Sequence, residues 1–189
     1  MEGWWAASYV VLWVLVVMLA VVVVALARQI GTLHLRLGPR GALELDGEGP
    51  ALGEMLPPAN TQDVNGSAVT LGGPGEAQLL LFVTPGCGVC EQVLPSLPAV
   101  AAIGSHTPYV VTDVNAEETR LVYGSKRISA PLIPDRELAA GYGVPGTPYV
   151  IITGDDGLVR AKGTVNNLEQ MEGLVDSARK RRATEVSDA

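Results

Sequence analysis

The sequence predicts an α/β domain attached to one N-terminal transmembrane helix. Two observations predict the domain: strand-like apolar runs alternate with helix-like segments from residue 78 onward, and the series ends in a hairpin followed by a helix. A third observation predicts the membrane helix, because residues 4–27 carry no charged side chain. At 189 residues, the chain can bury the core of one compact domain plus an appendage, but hardly of two full domains.

The N-terminal apolar run is long enough to span a bilayer. At about 1.5 Å per residue, residues 4–27 cover the hydrocarbon core of roughly 30 Å. Trp4 and Trp5 lie at one end, where interfacial aromatic residues are common, and Arg28 closes the other end. A cleaved signal peptide is the alternative, but its apolar core usually has about 7–15 residues and follows a basic region. We therefore predict that residues 1–28 are an uncleaved anchor.

The rest of the chain divides into a linker, a domain and a tail. Residues 29–66 are predicted to be a juxtamembrane linker, because Gly38-Pro39, Gly49-Pro50 and Pro57-Pro58 interrupt any long helix or central strand. The domain is expected over residues 67–178, and a flexible charged tail over residues 179–189. The tail opens with the only basic cluster, residues 179–182, and the formal net charge is −7. This charge pattern argues against a nucleic-acid partner.

Hydrophobic patterning predicts the order of elements in the domain. Residues 78–84 form a continuous apolar run, as in a strand buried on both faces. The helix that starts at Cys87 contains Pro95 and Pro98, which should kink it. Asp135 is expected to cap a short helix, and Asn166 or Asn167 the final helix. The other predicted elements are a helix over residues 116–123 and strands over residues 68–71, 109–114, 128–133, 149–153 and 158–162, the last two joined by a hairpin turn.

The candidate chemistry lies in the two cysteines of the chain, Cys87 and Cys90, which are separated by Gly88 and Val89. Cys87 is placed at the start of a helix, where unpaired N–H groups and the positive end of the helix dipole stabilise a thiolate. Cys90 follows within one turn, close enough to form a disulfide. We therefore assign Cys87 as the nucleophile and Cys90 as the residue that resolves a mixed disulfide.

Two other interpretations of the cysteine pair were weighed. A zinc site needs further ligands, and the two histidines, His34 and His106, are distant in sequence and unpaired. Two inert buried thiols are the second alternative. We expect no metal and no added cofactor, only a redox-active disulfide between Cys87 and Cys90.

Two arguments about membrane orientation conflict. Arg28, Arg36 and Arg40 follow the apolar run, so the positive-inside rule would keep the domain in the cytoplasm. Disulfides, however, persist outside the cytoplasmic membrane, where a tethered dithiol protein has most to do. We expect a single-pass protein of the inner (cytoplasmic) membrane with its redox domain on the periplasmic side.

A second motif, Gly-Val-Pro-Gly-Thr-Pro, occupies residues 143–148 directly before the strand 149–153. A Thr-Pro at the entry of a buried strand loses a ladder donor, so we predict a cis peptide bond between Thr147 and Pro148 rather than an ordinary trans turn. The loop is expected to lie beside the cysteines and to leave backbone groups free for a substrate strand.

These two motifs resemble those of the thioredoxin superfamily. Residues 82–95 (FVTPGCGVCEQVLP) resemble its active-site strand, CxxC pair and helix, and residues 143–152 (GVPGTPYVII) resemble its cis-proline loop. The resemblance implies a thioredoxin-like fold, with a central mixed sheet flanked by helices and with Thr147 and Pro148 facing the cysteines. The expected surroundings of the pair are Pro85, Gly86, Gly88 and Val89.

A narrower resemblance involves residues 25–43 (ALARQIGTLHLRLGPRGAL) and the Gly/Pro-rich segment after them. This part is similar to the membrane-tethered accessory proteins of methylamine utilisation, which help to form the disulfides of the methylamine dehydrogenase small subunit. The resemblance implies a cysteine-containing protein substrate, namely that subunit, and a redox partner that recycles the cysteine pair. It also supports the periplasmic orientation.

The sequence departs from the thioredoxin pattern at two places. Leu81 stands six residues before Cys87, where thioredoxins carry a buried aspartate, and Pro85-Gly86 replaces the usual aromatic residue. These departures favour a dedicated partner over fast, general disulfide reduction. Whether the protein acts as oxidant, reductant or isomerase stays open, because this depends on the relative stability of the thiolate and disulfide forms.

Two other functions remain as alternatives. Residues 84–87 match the Thr-x-x-Cys pattern of thiol peroxidases, although Leu80 stands where that family has a proline. The second alternative is a non-catalytic thioredoxin-fold chaperone or docking module, against which the intact cysteine pair argues.

Overall fold

The computed structural model of the chain describes residues 2–36, 48–126 and 128–187. The chain forms two units, divided after residue 39, and each is described by itself. Arg40 and the Gly38-Pro39 pair, which entered the sequence analysis, lie outside the described residues.

The first unit is a single helix, α1 (Glu2–Arg36). Its stretch Gly3–Val23 is long and apolar enough to cross a membrane, and no other helix in the described part of the chain is. Large apolar side chains are exposed along this stretch, including Trp13 and Leu19. A helix that is apolar on all sides and does not bury its side chains in protein is typical of a membrane span.

The second unit is built on a five-stranded mixed sheet with the strand order β5-β4-β3-β6-β7. The central strand β3 (Gln78–Val83) pairs in parallel with β4 (Thr107–Thr112), which pairs in parallel with β5 (Leu132–Pro134). On the other side, β6 (Tyr149–Thr153) runs antiparallel to both β3 and β7 (Val159–Thr164). A separate hairpin pairs β1 (Ala59–Gln62) with β2 (Ala68–Leu71). The mixed sheet agrees with the predicted fold class.

Helices cover the sheet and enclose two apolar cores. After β3 come α2 (Gly88–Val93), a 3₁₀ turn (Leu94–Ser96) and α3 (Leu97–Gly104), so the predicted kink is a break at the two prolines. The remaining helices are α4 (Ala116–Tyr123), α5 (Arg136–Gly141) and α6 (Leu168–Ser187). Side chains of β3 alternate between the cores: Leu79, Leu81 and Val83 join one, and Leu80 and Phe82 the other. Alternation on a fully buried strand explains its continuous apolar sequence.

Asparagine or aspartate side chains cap the N-termini of α4, α5 and α6. The sequence predicts the caps of α5 and α6. Asn115 caps α4 by accepting the N–H of Glu118, and Asp135 caps α5 by accepting the N–H groups of Glu137 and Leu138. Before α6, the side chain of Asn167 accepts the N–H of Gln170 over 2.9 Å. Each cap satisfies a donor that the first helical turn leaves unpaired.

Among the predicted strands, β4 and β5 differ most from their expected boundaries. β4 starts and ends two residues earlier than the predicted 109–114, and β5 covers only the last part of the predicted 128–133 and continues to Pro134. In β4, Pro108 pairs with Leu79 near the start of the strand, where the missing donor is tolerated. Sequence patterns predict the ends of strands poorly, because a strand ends where its hydrogen bonds to the neighbouring strand end.

Residues 48–66 belong to the folded domain, in contrast to the linker expected over residues 29–66. Leu56 is fully buried, its N–H donates to Gly157 and its C=O accepts from Gly73. The segment also pairs with the edge strand β7, since the N–H of Val159 donates to Glu54 and that of Gly53 to Val159. The prolines and glycines that interrupt regular structure therefore shape an extended segment that covers an edge of the sheet.

The end of the chain also differs from the flexible tail expected over residues 179–189. Helix α6 continues to Ser187. Arg181 donates to the carbonyl of Arg160, and Arg182 forms an ion pair with Asp155 over 3.0 Å. The basic residues thus contact the β6–β7 hairpin. These contacts hold the last turns of α6 against the domain.

Candidate active site

Cys87 lies where strand β3 turns into helix α2. Its N–H donates to the carbonyl of Thr84 over 3.3 Å, which closes a turn over Pro85 and Gly86. Gly86 has φ +80°, a left-handed conformation that favours glycine. Cys87 itself is the N-cap of α2, and its sulfur accepts the N–H of Cys90. The turn thus points the Cys87 sulfur at the start of the helix, as the sequence predicts.

Cys87 and Cys90 form a disulfide, with their Cα atoms 5.2 Å apart. The two residues differ in environment, because Cys90 is completely buried in the apolar core whereas Cys87 is partly exposed. Around them, Gly86 and Gly88 are exposed, and Pro85 and Val89 are partly buried. Of the two cysteines, Cys87 is therefore the one that is open to a large partner.

The peptide bond between Thr147 and Pro148 is cis, as predicted. In the register of the sheet, Tyr149 pairs with Phe82, so the residues before β6 lie at the same edge as those after β3. Pro148 is buried and its carbonyl accepts the N–H of Val165, whereas Thr147 is partly exposed. Neither the N–H nor the C=O of Thr147 makes a hydrogen bond to any residue that the structure describes.

Thr84 and Asp113 are site residues that the sequence analysis missed. The hydroxyl of Thr84 donates to Oδ2 of Asp113 over 2.9 Å, and the hydroxyl of Thr147 donates to that of Thr84 over 3.0 Å. These hydrogen bonds join the active-site turn to the loop before β6. No sequence pattern could show them, because the three residues lie 29 and 63 positions apart along the chain.

Glu91, the residue after Cys90, belongs to a small group of charged and aromatic side chains. Glu91, next to Cys90, forms an ion pair with Lys126 over 2.7 Å, and the Lys126 ammonium lies 5.3 Å from the centre of the Tyr123 ring. Burial, together with the negative charges of Glu91 and Asp113, raises the pKa of Tyr123 to about 12. Tyr123 is therefore neutral at physiological pH and does not act as a base there.

The described residues contain no group of three or more histidine, cysteine, aspartate and glutamate side chains arranged to hold a metal ion. The polar side-chain atoms that the structure brings together after the end of β3 are two threonine hydroxyls and one carboxylate. The chemistry that this arrangement can perform with its own atoms is exchange between thiols and disulfides.

Comparison with known proteins gives relatives that match almost the whole chain. Methylamine utilization protein MauD of Methylophilus methylotrophus is 34% identical over 94% of this chain and 86% of its own length. The protein of the same name from Methylobacillus flagellatus is 32% identical over 94% of this chain and 88% of its length. The chain belongs to the MauD family. No family model matches the sequence.

Solved structures similar to this MauD-family chain establish its fold. The thioredoxin domain of a thiol-disulfide oxidoreductase from Bacteroides vulgatus superimposes with a TM-score of 0.56 and 20% identity, over 69% of this chain and 97% of that domain. A peroxiredoxin-like protein from Aquifex aeolicus superimposes with a TM-score of 0.57 and 17% identity, over 71% of this chain and 89% of its own. The domain therefore has the thioredoxin-like fold expected from the sequence.

Proposed function

We propose that the protein is a membrane-tethered thiol–disulfide oxidoreductase. The observation that carries this proposal is the Cys87–Cys90 disulfide at the end of β3, with one sulfur partly exposed and the other buried. Its thioredoxin-like fold and its membership of the MauD family support the same function.

The exchange reaction uses both sulfurs. In the reducing direction, the Cys87 thiolate attacks one sulfur of a substrate disulfide and releases the other as a thiolate. Cys90, as a thiolate, then attacks the Cys87 sulfur, which forms the internal disulfide and releases the second substrate thiol. Two electrons pass from the pair to the substrate, and the reverse sequence oxidises a substrate dithiol. Either direction requires a redox partner that returns the pair to its starting state.

Thr147 is the proposed docking point for a substrate strand. Its backbone N–H and C=O are unused by the described residues, and it lies at the same edge of the sheet as Cys87. An extended segment that pairs with these two groups would hold a cysteine of the substrate near the Cys87 sulfur, as in other strand-addition complexes. The buried Pro148 anchors the loop beneath it.

The proposed substrate is a cysteine-containing protein of methylamine utilisation. Membership of a family of methylamine utilization proteins supports this choice. The resemblance noted in the sequence further suggests the small subunit of methylamine dehydrogenase, whose disulfides would be formed or rearranged by the pair. Gly88 and Val89, the two residues between the cysteines, carry no charge that would favour one direction of exchange, so the direction depends on the potentials of the partners.

We further propose that α1 anchors the protein in the cytoplasmic membrane with the redox domain in the periplasm. The length and apolar composition of Gly3–Val23 support an anchor. The need for an oxidising compartment supports the periplasmic side, although the arginines after the span favour the opposite one. Fusion of alkaline phosphatase to the C-terminus should give an active reporter, whereas an active cytoplasmic β-galactosidase fusion would contradict this orientation.

The test of the function is a trapping experiment with the full chain in its native membrane. Cys90→Ser removes the sulfur that resolves the mixed disulfide, so Cys87 should remain bonded to its partner, which can be isolated and identified by mass spectrometry. Cys87→Ser is the matched control and should trap nothing. Full function of the double Cys87→Ser, Cys90→Ser variant in cells would instead favour the chaperone or docking alternative.

A further inference from the structure

Three residues from three neighbouring segments meet at the active-site edge of the sheet. Thr84 follows β3, Asp113 follows β4, and Thr147 precedes β6, and these strands are adjacent in the order β4-β3-β6. The hydrogen bonds Thr147 to Thr84 and Thr84 to Asp113 form what we call the Thr147–Thr84–Asp113 link. The link therefore runs across the sheet from a carboxylate to the loop proposed to dock substrate.

The direction of each hydrogen bond in the link follows from its carboxylate end. A carboxylate accepts but does not donate, so Thr84 must donate its single O–H to Asp113. The Thr84 oxygen can then only accept a hydrogen bond from Thr147, which donates its own O–H to Thr84. The side chain of Thr147 is thus held against the active-site turn and its O–H is no longer free to donate to a partner, whereas its backbone N–H and C=O make no hydrogen bond to the described residues.

Asp113 is itself held in place. Its carbonyl accepts from Nε of Arg136 over 3.0 Å, and its side chain is partly buried. The other carboxylate oxygen, Oδ1, is buried and makes no hydrogen bond to any described residue. A buried carboxylate oxygen without a hydrogen-bond partner is costly, and the other oxygen of the same carboxylate accepts from Thr84 beside the active-site turn, which points to a role at that site.

We propose that Asp113 is a positioning residue for substrate docking: through Thr84 it fixes Thr147, and so the loop that pairs with the substrate strand, against the turn that carries Cys87. This inference rests on the proposed function. The inference adds Asp113 to the proposed site. Asp113 follows β4, whereas the buried aspartate of thioredoxins corresponds to Leu81 in β3.

The positioning role predicts a difference between two kinds of disulfide. An extended peptide that carries one disulfide must pair with Thr147 to react, whereas 5,5′-dithiobis(2-nitrobenzoic acid) is a small aromatic disulfide without a backbone. Loosening the link should therefore slow exchange with the peptide and leave exchange with the aromatic disulfide almost unchanged. A purely structural role would slow both reactions equally or neither.

The experiment measures both second-order rate constants by stopped flow with the reduced full chain in detergent. Thr84→Val, which removes the central hydroxyl, and Asp113→Ala should each lower the peptide rate by about tenfold, as expected for one lost hydrogen bond, and change the aromatic rate by less than about twofold. The double variant should lose no more than either single one, because both break the same link. Thr84→Ser and Asp113→Asn keep a hydroxyl and an acceptor oxygen, and should retain most of the peptide rate.

Thr153→Val is the matched control, since Thr153 is a fully buried threonine of β6 whose hydroxyl has no partner among the described residues. It should leave both rates unchanged. If Thr84→Val fails to fold, Asp113→Ala breaks the same link from its carboxylate end and should show the same selective loss. An unchanged ratio of peptide to aromatic rates in the link variants would overturn the proposal, whereas a wild-type chain that reacts with neither disulfide would overturn the proposed function itself.

Discussion

The backbone N–H of Cys90 donates to the sulfur of Cys87 over 3.1 Å, although the sulfur of Cys90 itself lies in the apolar core. An N–H group directed at Cys87 favours negative charge on that sulfur, while burial without such a donor disfavours charge on the other. The helix start therefore distinguishes two thiols that are only one turn apart.

This asymmetry predicts the order of modification in the reduced protein. Iodoacetamide at neutral pH should alkylate Cys87 at least about tenfold faster than Cys90, because only thiolates that solvent reaches react quickly. Peptide mapping by mass spectrometry after short exposure measures the two rates. Cys90→Ser should keep the fast phase and Cys87→Ser should lose it. Equal rates for both cysteines would contradict the assignment of Cys87 as the nucleophile.

The hydrogen bonds of Thr84 predict slow reaction of the reduced protein with hydrogen peroxide. If the Thr84 hydroxyl were to donate to a peroxide bound at Cys87, its single O–H would have to be free, but here it donates to Asp113. We expect the reduced protein to consume hydrogen peroxide no faster than free cysteine at the same pH and concentration. Fast consumption that survives Cys90→Ser but not Cys87→Ser would favour the peroxidase alternative.

The sequence predicted the local features of the site but not its cross-strand contacts. The cysteine pair, the Thr147–Pro148 loop and the cap at Asp135 each depend on residues close in sequence, so pattern and spacing were sufficient. Thr84 and Asp113 meet only because β3 and β4 pair in parallel in one register, with Val83 opposite Thr112. Register depends on the packing of the whole sheet, which no short motif encodes.

The linker predicted before β1 differs from the structure for a related reason. Its glycines and prolines are typical of a linker, but a covered sheet edge also needs extended, irregular backbone. The deciding residue is Leu56, a single apolar side chain between Met55, which is half exposed, and Pro57. One buried residue in a short extended segment gives no periodic signal that a sequence pattern could detect.

Leu56 provides a test of where the folded domain begins. Leu56→Ala should lower the free energy of unfolding by about 2–5 kcal/mol, because it leaves a cavity in a fully buried position. Chemical denaturation of the full chain in detergent, followed by circular dichroism, measures this change. Leu52→Ala is the matched control in the same segment, since Leu52 is 37% exposed, and should cost less than about 1 kcal/mol. Similar effects of the two variants would support the linker interpretation.

Tyr142 ties this same N-terminal segment to the end of α5. Its single O–H is shared between two carbonyl acceptors, that of Pro57 at 2.8 Å and that of Leu71 at 3.1 Å, and its ring meets Phe82 edge-on. Burial, with a smaller contribution from the charge of Asp135, raises the pKa of Tyr142 to about 12. The folded state therefore holds the tyrosine proton more tightly than the unfolded chain does.

This difference predicts how stability falls at alkaline pH. The ordinary pKa is 10.0, so the contribution of Tyr142 is complete below about pH 10 and is lost as the pH rises to about 12. Tyr142→Phe should lower the free energy of unfolding by about 1–3 kcal/mol at neutral pH, since the carbonyls of Pro57 and Leu71 lose the donor that they share. It should also flatten the decline of that free energy between about pH 10 and 12. Denaturant titrations across this range, with tyrosinate absorbance as an independent readout, measure both effects. A decline as steep as in the wild type would show that Tyr142 is not among the groups that drive alkaline unfolding.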